Sequence, residues 1–482
     1  MIEMVLQIPE QFKGLIHSVQ SLVDTSSHIL DQLSQGQSIN YATIETSVGQ
    51  QAAALERATH QALLEGLDID TPWIQVGDVV HARVGRYPGT YYTLAGPVQV
   101  ARSLYRPIDD RNAKTVDPVS LRAGVVGAGW LPATAGAMAH ALQQGTSREA
   151  EELARQWGRL PYSRSSFEDV GHTVGQLLTS NHSRIEEQLI QQYQVPSEAY
   201  SVSVGLDRVS IPMEEELPRP VGRPKANAPK RHIARNYRMA YCGTVTLHDK
   251  DGRALHTIRY GRMPQGDEES LAVGLSDDVI RLLEQRPDLE VQLLCDGAPE
   301  MWNLLDEHIN AKTVGKPVNR LIDFYHLTEK LGKAATVVAP EGKESEQLLG
   351  RWKLQLLNRP QASEEIRAEL EGSGLKEACV GKESAVKEAM TYLKNHQAQL
   401  DYATARGLGL AIASGPLEAT CKSLVNQRFK RSGSRWKERT GEHILQLRAL
   451  ALSERWDSAM QLLLEPLRKI VTAVEITHTL AA

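Results

Sequence analysis

The pattern of apolar positions divides the chain into a mostly helical first part and a second part that alternates strands and helices. Before residue 200, apolar residues recur three and four positions apart from Gln11 to about Leu67 and again from Ser147 to Leu178, which predicts helices in both stretches. Between them, the alternating runs Val79 to Val84 and Tyr91 to Tyr105 predict a small hairpin, the second run being interrupted at Gly96-Pro97.

The two helical patterns between Ser147 and Leu178 are separated by a short break at Gly158 to Pro161. Ser163 or Ser165 can cap the second helix, and Glu168 follows Ser165 by three positions, as in a capping box. A helix, a short turn and a second helix are compatible with a helix-turn-helix DNA reader. The alternative is a helical hairpin that serves only packing, which is the more common case.

After residue 200 the pattern becomes that of a layered domain. Period-two alternation predicts strands at Ser201 to Ile211, Met239 to Leu247 and Ala254 to Tyr260. They are followed by a helix at Glu268 to Glu284, a strand at Val291 to Cys295, a helix from Pro299 to about Ile309 and a strand at Arg320 to Phe324. This order is typical of an α/β arrangement with a buried central sheet.

A charged helical stretch, residues 333 to about 400, interrupts the predicted α/β unit. One more helix is predicted from Pro416 to Arg431, because a Gly-Pro pair precedes it and a glycine follows it. At helical spacing, one face of this helix would carry Glu418, Lys422, Val425 and Phe429. The first two would then point towards one site while the last two pack against the sheet.

Length and composition indicate a globular protein of several domains. The 482 residues are 41% hydrophobic, which is enough for real cores. The four cysteines show no paired spacing, so neither a disulfide framework nor a cysteine-based zinc site is predicted, and a reducing cytosol is the expected compartment. We see neither a signal sequence nor an apolar run of the length that a membrane-spanning helix needs.

Three acidic residues occupy unusual positions. Asp207 lies inside an otherwise apolar predicted strand, Asp296 ends another, and Glu418 lies in the first turn of the last helix. Burial of a carboxylate is costly unless the group is paired or binds a metal. Each acid taken alone has an ordinary interpretation, such as the interaction of Glu418 with the helix dipole. Their order along the chain, taken with the motifs around them, is more specific.

This ordered set of motifs resembles the RNase H-like DDE transposases, which carry one acid in the first strand, a second at the end of the fourth and a third on a late helix. From about Val204 to Leu450 the chain resembles the ISKra group of insertion-sequence transposases, with Mutator-like relatives beyond them. The residues that carry the resemblance are Val204-Gly205-Leu206-Asp207-Arg208, Cys295-Asp296-Gly297-Ala298 through Met301-Trp302, Asp323-Phe324-Tyr325-His326, Ser414-Gly415-Pro416-Leu417-Glu418-Ala419-Thr420-Cys421-Lys422, and then Arg428, Ser432-Gly433 and Arg435-Trp436. The Cys-rich hairpin of such transposases has no counterpart here, because residues 99–110 contain no cysteine.

The resemblance implies an α/β fold with an RNase H-like catalytic core, in which helices flank a mixed sheet, an all-helical insertion, and a mostly helical N-terminal DNA-binding region before the core. The predicted domains are a helical region at 1–70, a hairpin with a helix-turn-helix-like DNA-binding region at 71–200, the first part of the core at 201–332, the insertion at 333–413, and the final helix with a basic C-terminal region at 414–482.

The implied activity is cleavage and transfer of DNA strands with two Mg²⁺ ions, for which Mn²⁺ is expected to substitute. Two divalent ions about 4 Å apart serve such chemistry, and hard oxygen ligands suit Mg²⁺. Asp207 would bridge both ions, Asp296 would hold one and Glu418 the other. Asp323 and His326 stand at the spacing of a signature between the second and third acids. Residues that could contact a phosphate or support the site are Asp323, His326 and Lys422.

The expected partner is double-stranded DNA, both as transposon ends and as target, bound by a homo-oligomer that is a dimer or a larger assembly. We expect a cytoplasmic protein that is nucleoid-associated when bound to DNA, with no membrane partner. A nucleotide cofactor is not expected, because the glycine motifs at Gly127, Gly342 and Gly381 lack the residues of a dinucleotide or P-loop site. Two alternatives stay open, a domesticated DNA-binding protein without catalysis and a structure-specific nuclease on the same fold.

Basic residues gather in two segments beside the proposed acids, the first basic cluster at 219–238 and the second basic cluster at 422–439. Together they contribute 14 positive charges and one negative charge, a net charge of +13. The rest of the chain carries a net charge of −18, which gives the total of −5. A solvated charged face is the alternative, but both clusters adjoin proposed acids, as elements that grip phosphate should, and such binding weakens steeply with salt. The predicted DNA contacts are Arg219, Arg223, Lys225, Lys230, Arg231, Arg235, Arg428, Lys430, Arg431, Arg435, Lys437 and, by stacking on a base, Trp436.

Overall fold

The computed structural model describes residues 9, 12–214, 235–266, 268–339, 342–373 and 384–474. The chain divides into two compact units, one of Met1–Asn181 with Asp457–Ala482 and one of His182–Trp456. No helix of the described ranges is long and apolar enough to cross a membrane.

The elements follow one another in chain order. The first are α1 (Lys13–Ser34), α2 (Tyr41–Glu65), β1 (Trp73–Val76), β2 (Val79–Thr93), β3 (Gly96–Pro107), α3 (Pro118–Ala123), α4 (Pro132–Gln144), α5 (Ser147–Trp157) and α6 (Arg164–Thr179). Next come α7 (His182–Gln192), β4 (Ser201–Glu214), β5 (Arg235–His248), β6 (Ala254–Arg262), α8 (Glu268–Gln285), β7 (Glu290–Cys295), α9 (Pro299–His308), α10 (Ala311–Val314), β8 (Val318–Ile322), α11 (Phe324–Val338), α12 (Gly342–Asn358), α13 (Ala362–Gly372) and α14 (Ser384–Asn395). The last are α15 (Tyr402–Gly407), α16 (Gly415–Thr420), a π-helical turn at Cys421–Asn426, α17 (Gln427–Phe429), α18 (Glu438–Leu452), α19 (Trp456–Leu464) and β9 (Val471–Ala473).

The first unit contains an antiparallel sheet with strand order β3-β2-β1-β9. The predicted hairpin is present, but its boundaries differ. β2 continues through Pro88 as one strand, with a bulge between Arg83 and Gly85. The turn lies at residues 94–95, because Thr93 pairs with Gly96 and its hydroxyl donates to the carbonyl of Gly96 at 2.8 Å. Gly96 has φ +123°, a conformation that favours glycine, and it begins β3 rather than interrupting it.

The two helices predicted around Gly158 are α5 and α6, which pack together with α4. Ser163 caps α6 by accepting from the backbone N–H of Ser166. The capping box predicted for Ser165 and Glu168 is wrong, because the Glu168 carboxylate accepts from the hydroxyl of Ser147 instead. Glu168 therefore ties the start of α5 to α6.

The second unit is built on a five-stranded mixed sheet with strand order β6-β5-β4-β7-β8. β4, β5 and β6 are antiparallel, whereas β7 and β8 run parallel to β4. Helices flank this sheet, and the core is formed by fully buried side chains such as Val204, Leu275 and Leu293. A mixed sheet of this order with flanking helices, after a mostly helical N-terminal region, confirms the predicted RNase H-like fold class.

The predicted helical insertion is occupied by α12, α13 and α14. Its core contains Trp352, which is fully buried and donates its indole N–H to Glu369 at 3.0 Å. The strand before it lies two positions earlier than predicted, because β8 covers Val318–Ile322 rather than Arg320 to Phe324. Asp323 breaks the strand by capping α11, accepting from the backbone N–H of His326 at 2.7 Å.

The helix predicted from Pro416 to Arg431 is helical over most of that range, but it is not one regular α-helix. A π-helical turn at Cys421–Asn426 separates α16 from α17. Val425 and Phe429 are fully buried, as the predicted face requires. The wider π turn changes the angular phase between residues before and after it, so helical spacing alone does not place Glu418.

Candidate active site

Two of the predicted acids come together because β4 and β7 are parallel neighbours. The last paired residues of the two strands are Val204 and Leu293. Asp207 follows Val204 by three positions, and Asp296 follows Leu293 by three. The two acids therefore stand side by side at the carboxyl edge of the parallel strands, which is where open α/β sheets bind ligands.

The surroundings of Asp207 disfavour its charged form. Burial raises the pKa of its carboxyl group, and the charge of Asp296 raises it further. Two donors act in the opposite direction, the backbone N–H of Arg208 at 2.6 Å and the thiol of Cys421 at 3.4 Å. The charge of His326 also lowers this pKa, so His326 lies within electrostatic range of the acid. A cation between the carboxylates would reverse the destabilisation.

Cys421, the first residue of the π-helical turn after α16, reaches Asp207 with its side chain, which we did not predict. It also contacts Cys242, the residue of β5 that pairs with Asp207 across the strands. The hydrogen bond to Cys242, burial and the negative charge of Asp207 all raise the pKa of the Cys421 thiol. Cys421 is buried, as expected, and as a neutral thiol it donates to the acid. Only its position one turn after Glu418 could have indicated from the sequence that Cys421 lies near the site.

α16, the helix just before Cys421, docks onto the sheet at Gly205. An added Cβ on Gly205 would meet the carbonyl oxygen of Leu294 at 3.0 Å, a methyl of Leu417 at 3.0 Å and the hydroxyl of Thr244 at 3.1 Å. Gly205 and Asp207 share one face of β4, since side chains alternate along a strand. The absence of a side chain at position 205 thus lets α16 approach the strand next to the acid.

Asp296 is held by the turn that leads into α9. Its carboxylate accepts from the backbone N–H of Ala298 at 3.0 Å, and its carbonyl accepts from the indole N–H of Trp302 at 2.7 Å. Arg320 stacks over the Trp302 ring, 5.4 Å from its centroid. These contacts fix the backbone of the acid and leave the second carboxylate oxygen to other partners.

Asp323 is used for structure. Besides capping α11, its carboxylate accepts from the backbone N–H of Ser414 at 2.5 Å and from its hydroxyl at 2.8 Å. These bonds join the end of β8 to the loop that precedes α16. His326 lies one turn into α11, with its ring centroid 6.0 Å from that of Tyr392. The carboxylate of Asp323 is therefore satisfied by backbone and hydroxyl donors, and its role in supporting the site stays a prediction.

Tyr392 is a second functional candidate that the sequence did not indicate. It lies on α14 of the insertion, with the ammonium of Lys330 4.8 Å from its ring centroid. Its hydroxyl is buried and has no hydrogen-bond partner among the described residues. An added Cβ on Gly297, the residue after Asp296, would meet this hydroxyl oxygen at 2.5 Å. Burial and the charges of Asp296 and Asp323 raise the pKa of Tyr392, so the hydroxyl keeps its proton and can donate.

Glu418 does not join the other two acids. Its side chain on α16 is exposed, as is that of Lys422 in the π turn. Within the described ranges, no group of three or more His, Cys, Asp or Glu side chains is arranged to hold a metal ion. The structure thus assembles two carboxylates, with Glu418 on the adjoining helix.

The predicted DNA-contacting residues are distributed unevenly over the structure. Those of the first basic cluster that fall outside the described residues are Arg219, Arg223, Lys225, Lys230 and Arg231, while Arg235 begins β5. Of the DNA contacts predicted in the second basic cluster, the exposed ones are Lys430, Arg431, Arg435 and Lys437. Arg428 is only 6% exposed, and its guanidinium lies over the ring of Trp436, 4.7 Å from the centroid. Because the side chain of Arg428 is buried, its charge is not presented to a phosphate.

Trp436 holds its loop against the sheet. Its indole N–H donates to the carbonyl of Phe429 at 3.1 Å, and its ring packs on that of Phe429 at 4.3 Å between centroids. Its backbone N–H and C=O bond to Pro212 and Glu214 at the end of β4. The common role of tryptophan, packing, therefore describes Trp436 in this structure, and its stacking on a base stays a prediction.

Neither a protein-family model nor a curated protein matches the chain. A solved structure described as "Drosophila P element transposase strand transfer complex" aligns with 69% of this chain and 83% of its own, at 11% sequence identity and a TM-score of 0.24. A likeness of this size carries no argument about function, so the fold assignment rests on strand order and register.

Proposed function

We propose that the protein is a DNA transposase of the DDE type, which binds the terminal inverted repeats of its element and cleaves and transfers strands. The observation that supports this most is the parallel pairing of β4 with β7. It sets Asp207 beside Asp296, beyond the last paired residues of these two inner strands of an RNase H-like sheet. A relation of this chain to the ISKra group, with Mutator-like relatives, is part of the same proposal.

The donor set fits Mg²⁺ in part. Two neighbouring carboxylates are hard oxygen ligands, and a Mg²⁺ ion that keeps several waters needs only one or two of them. Asp207 and Asp296 would hold the metal, and Glu418 would complete the set for a second ion only after moving towards them. When bound, such ions activate the attacking water or 3′-hydroxyl and stabilise the leaving oxygen.

The chain's own residues would orient and protect this site. The Cys421 thiol and the backbone N–H of Arg208 fix the two oxygens of Asp207. The Tyr392 hydroxyl, which keeps its proton, would donate to a phosphate oxygen or to an ordered water beside Asp296. Exposed cations of the second basic cluster would hold the DNA backbone, and their contribution would weaken as salt increases.

A domesticated DNA-binding protein without catalysis is the second candidate. The exposed position of Glu418, outside any metal-binding group of the described residues, favours it. A structure-specific nuclease on the same fold is a third possibility, distinguished by cleavage that needs no particular end sequence and yields no joined products.

The test uses DNA that contains the sequences flanking the coding region, with Mg²⁺ or Mn²⁺, and scores nicks and joined products on gels. We expect Asp207→Asn and Asp296→Asn to lose roughly 10³-fold or more in cleavage, since metal stabilisation is worth several kcal/mol, while still binding the DNA. Asp251→Asn, in the exposed turn between β5 and β6, is the matched control and should cleave normally. Cleavage retained by both site variants would overturn the proposal, and binding without any cleavage by the unaltered protein would favour the second candidate.

A further inference from the structure

The first helix of the chain carries apolar side chains that nothing described covers. α1 has 22 residues, and none of them is buried. One side lies along α2, where the hydroxyl of Ser21 donates to the side chain of Gln51 at 3.1 Å and Leu22 is partly covered. Five other apolar residues of α1 are exposed, and their exposed fractions are 49% for Ile16, 40% for Val19, 52% for Val23, 64% for Leu30 and 52% for Leu33.

These exposed residues follow a strict seven-residue repeat. Ile16, Val23 and Leu30 are seven positions apart, and Val19 and Leu33 follow Ile16 and Leu30 by three. They occupy the a and d positions of three consecutive heptads, with Ser26 as the sixth member. A repeat of 3.5 residues is the seam of a left-handed coiled coil, which another helix with the same repeat fills.

The charges of α1 argue against binding to nucleic acid or to an anionic membrane surface. α1 contains one lysine, Lys13, no arginine, and the acids Asp24 and Asp31. Helices that bind nucleic acid or an anionic membrane surface are rich in basic residues on the polar face. A protein helix is therefore the occupant that fits.

We propose that α1 is a self-association surface, which pairs with α1 of a second copy of this chain. Identical surfaces related by a two-fold axis are self-complementary. An antiparallel pair brings Lys13 of one copy towards the end of the helix that carries Asp31 in the other, and it also opposes the two helix dipoles. In that arrangement Ile16 lies near Leu33 of the other copy.

The area available approaches what a stable dimer needs when α2 takes part. A helix of 22 residues is about 33 Å long and about 10 Å wide, so a seam along α1 alone covers roughly 330 Å² per copy. Stable interfaces bury roughly 800 Å² per partner. α2 adds Tyr41 and Val48, seven positions apart and 70% and 44% exposed. Two hairpins packed as a four-helix bundle approach the required area.

The test is the mass of the full-length chain without DNA, measured by sedimentation velocity across the micromolar range. We expect a dimer for the unaltered protein and a monomer for Val23→Glu combined with Leu30→Glu, with at least about tenfold weaker association. His17→Glu combined with His28→Glu, which adds the same charge at exposed positions off the seam, should stay dimeric. A monomeric unaltered protein, or a seam variant as dimeric as the control, would overturn the proposal.

Two further readouts make the result specific. Circular dichroism spectra of both variants should show the same helix content as the unaltered protein, because the substituted positions are exposed in the single chain. Disulfide cross-linking of a mixture of Ile16→Cys and Leu33→Cys chains should yield the mixed dimer, and a product from Ile16→Cys chains alone would contradict the antiparallel arrangement. None of these measurements depends on transposase activity, so the proposed function can fail without affecting this one.

Discussion

At the scale of single residues, the Asp207 and Asp296 pair is held together at a cost in stability. Burial and the neighbouring charge raise the pKa of Asp207, so the folded state binds its proton more tightly than the unfolded chain does. Stability from such a group is present below the unfolded pKa and is lost as pH rises through the folded one. The site is thus destabilised at neutral pH unless a cation lies between the acids.

Asp207→Asn should therefore raise the melting temperature at pH 7 in the absence of divalent metal, because it removes the buried charge. For a unit of this size the gain is roughly 2–4 °C per kcal/mol relieved. The difference should shrink as pH falls below about 4, where Asp207 is protonated in both states. Calorimetric melts of the two proteins across pH check this, and a lower melting temperature of the variant at pH 7 would contradict it.

Tyr392→Phe isolates the contribution of one hydroxyl group. The ring and its contact with Lys330 remain, so the fold should melt at the same temperature within about 1 °C, while DNA cleavage should fall roughly 10- to 100-fold for the loss of one hydrogen bond to the reacting group. Tyr162→Phe, in the first unit, should not change cleavage. Cleavage unaffected by Tyr392→Phe would show that the hydroxyl has only a structural role.

At the scale of elements, the approach of α16 to β4 decides whether the site is assembled. Gly205→Ala should push the helix away, because the added Cβ has only about 3 Å to the backbone of β7 and to Leu417. We expect a stability loss of about 1–3 kcal/mol and weaker metal-dependent cleavage. Gly350→Ala, in α12 with open space around its Cβ position, should instead be neutral or slightly stabilising. Denaturant unfolding measures both, and equal stability of the two variants would contradict this packing.

The sequence indicated the sheet well, because its strands alternate regularly. The family resemblance grouped Asp207 with Asp296, and the parallel pairing of β4 with β7 brings the two acids together. The partners that complete the site could not be found in this way. Tyr392 is 96 positions from Asp296, and its contact depends on how α14 packs in the insertion. The π turn at Cys421–Asn426 is likewise not signalled by the pattern of apolar positions, so regular helical spacing did not place Glu418.

At the scale of the whole molecule, charge is divided between the two basic clusters and an acidic remainder. Within the second cluster the structure separates roles, since Lys430, Arg435 and Lys437 are exposed while Arg428 is buried against Trp436. The exposed members can bind a polyanion, whereas Arg428 stabilises the loop that carries them. A net charge of −5 is therefore compatible with a DNA partner.

In the proposed function, Asp207 and Asp296 together bind a divalent ion. Titrating the purified full-length chain with Mn²⁺ and measuring free Mn²⁺ by electron paramagnetic resonance tests this claim. The unaltered protein and Asp251→Asn should bind the ion, and Asp207→Asn and Asp296→Asn should each bind it at least about tenfold more weakly. Equal Mn²⁺ binding by all four proteins, or none by the unaltered one, would contradict the claim.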